Sequence, residues 1–175
     1  MVEAKASNMG AVMNNTTEAI REILKEVYDP EVPVLSVLDL GVVRDIETTS
    51  AGKVIITVTP TYSGCPAMDM IRMQIRLALL QKGYQQIQID TVLSPAWTTD
   101  WMTEAGRQKL KAYGVAPPHY QQQVCSTELF AEETVQCPRC NSYHTHLISR
   151  FGATACKSLY QCDDCLEPFD YFKCH

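Results

Sequence analysis

No apolar stretch in this 175-residue chain approaches the ~20 residues that a bilayer-crossing helix requires, so no membrane span is expected. Strong charge of either sign is also lacking. Fifteen basic side chains face 20 acidic ones, and a net charge of −5 supplies no field for nucleic acid or anionic lipid. The opening Met1-Val2-Glu3-Ala4-Lys5-Ala6 has no apolar core of a secretory signal, and a cytoplasmic location is expected. There is no GxGxxG fingerprint for a nicotinamide or flavin nucleotide. Nor does any predicted helix carry the paired carboxylates and histidines of a di-iron site. Histidine is scarce, four in all, and none precedes His119, so a nucleophilic cysteine in the first half would lack a nearby imidazole in the sequence. Stand-alone catalysis and oxygen activation are therefore not expected.

What the chain does have is sulfur. Eight cysteines in a protein expected in a reducing compartment read as metal ligands or working thiols rather than disulfides. Composition is otherwise that of a soluble globular protein, with 46% hydrophobic and 20% charged residues, and the length suits one or two domains.

The first half is organised around Thr59-Pro60-Thr61-Tyr62-Ser63-Gly64-Cys65-Pro66. Lys53 to Thr59 is β-branched almost throughout and predicts a buried strand, with Val54, Ile56 and Val58 on one face. From Ala67 to Lys82 helix formers run without Gly or Pro until Gly83, which predicts a helix. Pro66 suits its first position, which places Cys65 at the N-cap, where unpaired N–H groups and the helix dipole favour a thiolate. A small apolar filler is the other reading of such a cysteine. The helix is apolar over most of its circumference. One stripe is Met68, Ile71, Ile75, Ala78 and Leu79, and a second is Met70, Met73, Leu77 and Leu80, both expected in the core unless a partner covers one.

Around this unit, residues 1–15 read as a flexible tail. Thr16 to Tyr28 carries Ile20, Ile23, Leu24 and Val27 at helical spacing, with Asn15 and Glu18 as a capping box. Asp29-Pro30 ends that helix, and the segment to Gly41 predicts an ordered loop on the core. Val42 to about Thr48 predicts a strand, as do Ile87, Ile89 and Val92. A helix is expected over Thr103 to Tyr113, capped by Thr103 and ended by Gly114. The result is a compact α/β (α+β) domain, α-β-β-α-β(-α), over 16–118. A linker follows over 119–133, with one short strand at Val124 to Phe130, and then a tethered module over 134–175.

That module holds Cys137-Pro138-Arg139-Cys140 and Cys162-Asp163-Asp164-Cys165, two CxxC knuckles 21 residues apart. Two knuckles complete a tetrahedral S4 site, which predicts a zinc ribbon. Two unrelated CxxC pairs, a redox dithiol or a rubredoxin-like iron site share the pattern, and spacing does not separate zinc from iron. So small a module draws much of its folding energy from the ion. Arg139, Arg150, Lys157 and Lys173 balance Asp163, Asp164, Glu167 and Asp170, a surface suited to protein docking rather than nucleic acid. Cys125, Cys156, Cys174 and His175 receive no role from spacing, and His144 and His146 read as surface or packing residues.

Asp29-Pro30-Glu31-Val32-Pro33, Asp39-Leu40-Gly41-Val42-Val43, Thr59-Pro60-Thr61 and Gly64-Cys65-Pro66 together resemble the SufT-like family of iron–sulfur assembly proteins. With Trp97-Thr98-Thr99-Asp100-Trp101, Gly114 to Pro118 and the four-cysteine tail, the chain is similar to the PaaD family, encoded with the bacterial phenylacetyl-CoA epoxidase system. The resemblance implies an accessory role in aerobic phenylacetate degradation, with the di-iron oxygenase and the flavin and iron–sulfur reductase as separate subunits and partners. It implies maturation or delivery of an iron or iron–sulfur centre, with Cys65 as the functional thiol and Asp39 structural or assisting. One thiolate cannot hold a cluster that takes four ligands, so Cys65 would share it with a second protomer, a partner or a small thiol. An inert Cys65 in a purely structural adaptor is the rival reading.

Overall fold

A computed structural model of the chain describes residues 16–118 and 134–173. The expected tail, Asn15, the linker with its short strand, His119, Cys125, Cys174 and His175 lie outside the described residues. Helix α1 covers residues 16–24 and buries Ile20 and Leu24 completely. It ends four residues before the expected Tyr28. Asp29 explains the early stop, because its carboxylate accepts the N–H groups of Glu31 (2.7 Å) and Val32 (2.9 Å) and winds the chain into the loop. That loop is as ordered as its composition predicts. Tyr28 bridges to Ser36, the Val37 N–H donates to the Val27 carbonyl, and Leu35, Val37 and Leu40 are buried.

Strands β1 (Val43–Thr48), β2 (Val54–Val58) and β3 (Ile87–Thr91) form one sheet in that order. β1 and β2 are antiparallel, while β2 and β3 are parallel and joined through helix α2 (Ala67–Gln81). A parallel pair needs such a crossover, and here it leaves the loop 59–66 at the carboxyl end of the central strand. As expected, Val54, Ile56 and Val58 share the buried face.

Helix α2 departs from expectation. Met68, Ile71, Ile75 and Leu79 are buried, each worth roughly 1.5–3 kcal/mol of transfer free energy. The second stripe is not core: Met70, Met73, Leu77 and Leu80 are 48%, 57%, 50% and 39% exposed. Among the described residues one sheet packs on one side of this helix, and periodicity alone does not say which apolar side is covered.

After β3, a 3-10 turn (Thr99–Trp101) leads to helix α3 (Glu104–Tyr113). Its cap is the predicted one, since the Thr103 hydroxyl accepts the Gly106 N–H, and Gly114 closes the helix in the left-handed region. A second sheet runs β4 (Val115–Ala116), β7 (Pro168–Phe172), β6 (Lys157–Cys162), β5 (Thr145–Ser149). Strand β4 follows α3 directly, yet pairs in parallel with β7 of the cysteine-rich module. Packing crosses the expected boundary in both directions. Ala116 joins Val135, Tyr160, Phe169 and Tyr171 in the smaller core, while Cys156 and Phe172 belong to the larger one. Phe172 meets Trp97 edge-on at 6.2 Å, and the Trp97 indole donates to the Leu40 carbonyl at 3.0 Å.

Candidate metal sites

The four knuckle cysteines come together as predicted. Their sulfurs all lie within 4.8 Å of one another, with Cys137 and Cys165 3.7 Å apart and Cys140 and Cys162 3.5 Å apart. Four sulfurs at ~2.3 Å from a tetrahedral zinc would stand about 3.8 Å apart, so the donor set fits that ion. The two knuckles repeat one backbone geometry. Cys137 N–H donates to the Ser142 carbonyl and Cys162 N–H to that of Glu167, and the residues after the second cysteines, Asn141 and Leu166, both have positive φ (63° and 62°). Asn adopts that conformation readily, whereas Leu does so only where the surrounding turn dictates it.

The sulfurs also need a cation electrostatically. Cys162, with the Cys165 N–H and then the Asp164 N–H on its sulfur, is drawn down to about 7. Cys140 receives the Ser142 N–H, but desolvation and the three neighbouring thiols push it up to about 12. Four such thiols cannot ionise together unless an ion sits among them. His144 and His146 are exposed and meet Asp164 (3.2 Å) and Asp163 (2.8 Å), outside the sulfur set.

Cys65 sits at the mouth of α2, one place earlier than expected. Pro66 is the N-cap and Ala67 the first helical residue, although the Met68 N–H does bond the Cys65 carbonyl at 3.3 Å. The sulfur still works as a cap, accepting the Ala67 N–H and the Thr61 hydroxyl. The pull toward a thiolate expected at the helix end is present but opposed. Burial pushes the thiol up most, those two donors pull back, and the Glu31 and Asp29 carboxylates push it further up. A helix end is a partial charge, and burial, the largest of these effects, leaves the thiol above its ordinary value despite it. The residue is half-buried rather than sealed, packed at the edge of the large core beside Tyr62, whose hydroxyl bonds it.

Asp39 stands in a separate network. It is 8% exposed and accepts the Ser36 N–H (3.0 Å), the Ser36 hydroxyl (2.8 Å), the Lys109 ammonium (2.6 Å) and, more weakly, the Thr103 hydroxyl (3.3 Å). Burial opposes the charge most strongly, but Lys109 and Ser36 together hold its carboxyl below the usual range. The carboxylates that act on Cys65 are Glu31 and Asp29, and burial raises Asp29 above its ordinary value. The Asp29-Pro30-Glu31 motif was on view in the sequence. Its nearness to Cys65 was not, because the ordered loop that folds it back has no periodicity.

Residues 17–88 match the family described as iron-sulfur cluster assembly protein, and residues 121–173 match the PaaD zinc beta ribbon domain. The chain is 51% identical over 152 residues, 87% of its length and 89% of the relative's, to an Escherichia coli (strain K12) protein named as one of the subunits of 1,2-phenylacetyl-CoA epoxidase. It is 38% identical over 103 residues, 56% of its length and 97% of the relative's, to an Fe-S protein maturation auxiliary factor of Porphyromonas gingivalis (strain ATCC BAA-308 / W83). Among solved structures it shares a fold with a DUF59 domain of unknown function from Bacillus anthracis, at a TM-score of 0.55 and 23% identity, covering 58% of this chain and 96% of that one. An iron–sulfur assembly domain, a β4 strand shared with a four-cysteine zinc ribbon, and half of all residues in common over nearly the full length lead to one assignment: the chain belongs to the PaaD family of phenylacetyl-CoA epoxidase subunits.

Proposed function

We propose that the chain serves a phenylacetyl-CoA epoxidase as an accessory subunit, carrying an iron or iron–sulfur centre to the oxygenase or reductase with Cys65 as the transient ligand. The observation that carries this reading is the collar around Cys65. Thr61 and Tyr62 hydrogen-bond a half-buried sulfur at the edge of the core, and the carboxylates of Glu31 and Asp29 act on it electrostatically, where an inert filler would have only apolar neighbours. A thiol held protonated gives up its proton only when a metal replaces it, which suits pick-up and release better than storage. The ribbon holds structural zinc and positions the chain on its partner.

Metal and sulfide analysis of protein purified without oxygen tests the proposal, comparing wild type with Cys65→Ala. The mutant is expected to keep one zinc, lose the additional iron, and leave the partner under-loaded. Full loading of the partner and full epoxidase activity in the mutant would leave a structural adaptor.

A further inference from the structure

The outer side of α2 is an apolar seam that no element covers among the described residues. Met70, Met73, Leu77 and Leu80 are all exposed, and their 3-4-3 spacing is the a-d-a-d step of a heptad. The core stripe, Met68, Ile71, Ile75 and Leu79, lies on the opposite side of the helix, so the seam is not the fringe of the core. A contiguous apolar face on a folded surface marks an interaction site.

The flanks of the seam say what covers it. In heptad terms Asp69 and Arg76 take the g positions, while Gln74 and Gln81 take the e positions. One flank is charged and the other carries amides. The Asp69 side chain is 95% exposed beyond its 3.5 Å bridge to Arg72, and Arg76 makes no ion pair among the described residues. Gln74 buries its Oε1 without a hydrogen-bond partner, which leaves the amide nitrogen as the end open to another molecule. Asp69, Met73 and Arg76 also line a groove of about 290 Å³ whose far wall is Ile89 of the edge strand β3. A parallel copy of α2 sets its e residues beside these g residues. Gln74 of the copy enters the groove and donates to the Asp69 carboxylate, and Gln81 of the copy accepts from the Arg76 guanidinium. An antiparallel copy overlapping all four seam residues would instead set Arg76 against Arg76 near the two-fold axis, like charge on like. Self-complementarity under a two-fold rotation is the mark of a homodimer.

We propose that the chain self-associates through α2 as a parallel two-fold pair closed by Met70, Met73, Leu77 and Leu80. The pairing does not rest on the Cys65 reading. A helix of 15 residues at 1.5 Å each is about 22 Å long, too short to bury the roughly 800 Å² per partner of a standard interface, so the dimer is concentration-dependent. Parallel packing stands both copies of residue 65 at the same end of the pair, whereas antiparallel helices would separate them by the helix length. The dimer thus has one working end.

Sedimentation equilibrium of the zinc-loaded, full-length protein under reducing conditions, from about 5 to 500 µM, tests this. Wild type is expected to pass from monomer toward dimer across that range. Met73→Glu, at an exposed position, should keep the fold and weaken the dimer at least about tenfold, since like charges then meet within the seam. Leu77→Glu is the second seam variant should Met73→Glu fail to fold. Gln81→Glu should tighten the dimer about twofold to tenfold at low salt by pairing with Arg76 of the copy, a gain that high salt removes. A wild type that stays monomeric, or a dimer unmoved by the folded seam variants, would overturn the proposal and leave this face to a different protein. An inert Gln81→Glu would overturn the parallel arrangement, and tightening by Arg76→Gln would assign the antiparallel one. Metal uptake in Cys65→Ala is read separately, so the function proposed above stands or falls on its own result.

Discussion

Asp39 gives the sharpest test of how the first unit is held together. Replacing it with asparagine keeps the volume but removes a buried charge that anchors the loop (Ser36), the start of α3 (Thr103) and Lys109. Hydrogen bonds to an ionised carboxylate contribute roughly 1.5–3 kcal/mol each, and asparagine retains part of that pattern. The Lys109 side chain is 46% exposed, so its ion pair adds no more than about 1 kcal/mol. The expected loss is therefore about 2–4 kcal/mol, or roughly 5–12 °C in Tm for a chain of this size. Thermal unfolding of the zinc-loaded protein measures it, with Lys109→Met as the control expected to cost under about 1 kcal/mol. The pH dependence has a definite sign. A carboxyl held below its ordinary value stabilises the fold above the unfolded value of about 3.9, and that contribution is lost as pH falls through the folded value. The gap between wild type and Asp39→Asn should thus be flat near neutrality and close in acid. A loss under about 0.5 kcal/mol, or a Lys109→Met cost as large as that of Asp39→Asn, would refute the assignment of the stabilisation to the Ser36 and Thr103 bonds.

Gly41→Ala should cost roughly 3 kcal/mol or more by thermal melt, because Gly41 has φ +71° and a Cβ there would lie 2.1 Å from the Trp101 carbonyl oxygen; a near-wild-type melt would show that this contact is soft. Cys162→Ser should abolish binding of the single zinc and also shift tryptophan fluorescence to the red, since Phe172 on β7 packs against Trp97; zinc retained at one equivalent would remove Cys162 from the ligand set. Metal uptake at Cys65 should rise about tenfold per pH unit for each thiol proton displaced, because burial holds that thiol up; a flat profile between about pH 6.5 and 8.5 would mean that the sulfur is already ionised.

The elements that repeat were legible in the chain. Alternation in Val54, Ile56 and Val58, the Thr103 cap and the two CxxC spacings each reflect a local rule, and each appears where expected. What depends on the surroundings was not legible. Both apolar stripes of α2 looked alike, and only the position of the sheet leaves Met73 exposed and Ile75 buried. The helix-end argument for Cys65 omitted its burial, the largest effect on the thiol, and the smaller push from Glu31 and Asp29, which the fold of the 29–41 loop supplies. Strand β4 is two residues long, too short to have a period, and the contact between Glu31 and Cys156 spans 125 residues.

Because two residues of the first unit form the outermost strand of the ribbon's own sheet, the metal-bearing tail is set at a fixed offset from residue 65, as a fence is from a saw blade. Lengthening the chain between 119 and 133 would leave that working distance unchanged, whereas a proline at Ala116 would release it. On the function proposed above, a recipient gripped by the ribbon would always present the same atoms to the sulfur, and the length of the connecting chain would be free to vary without effect on that role.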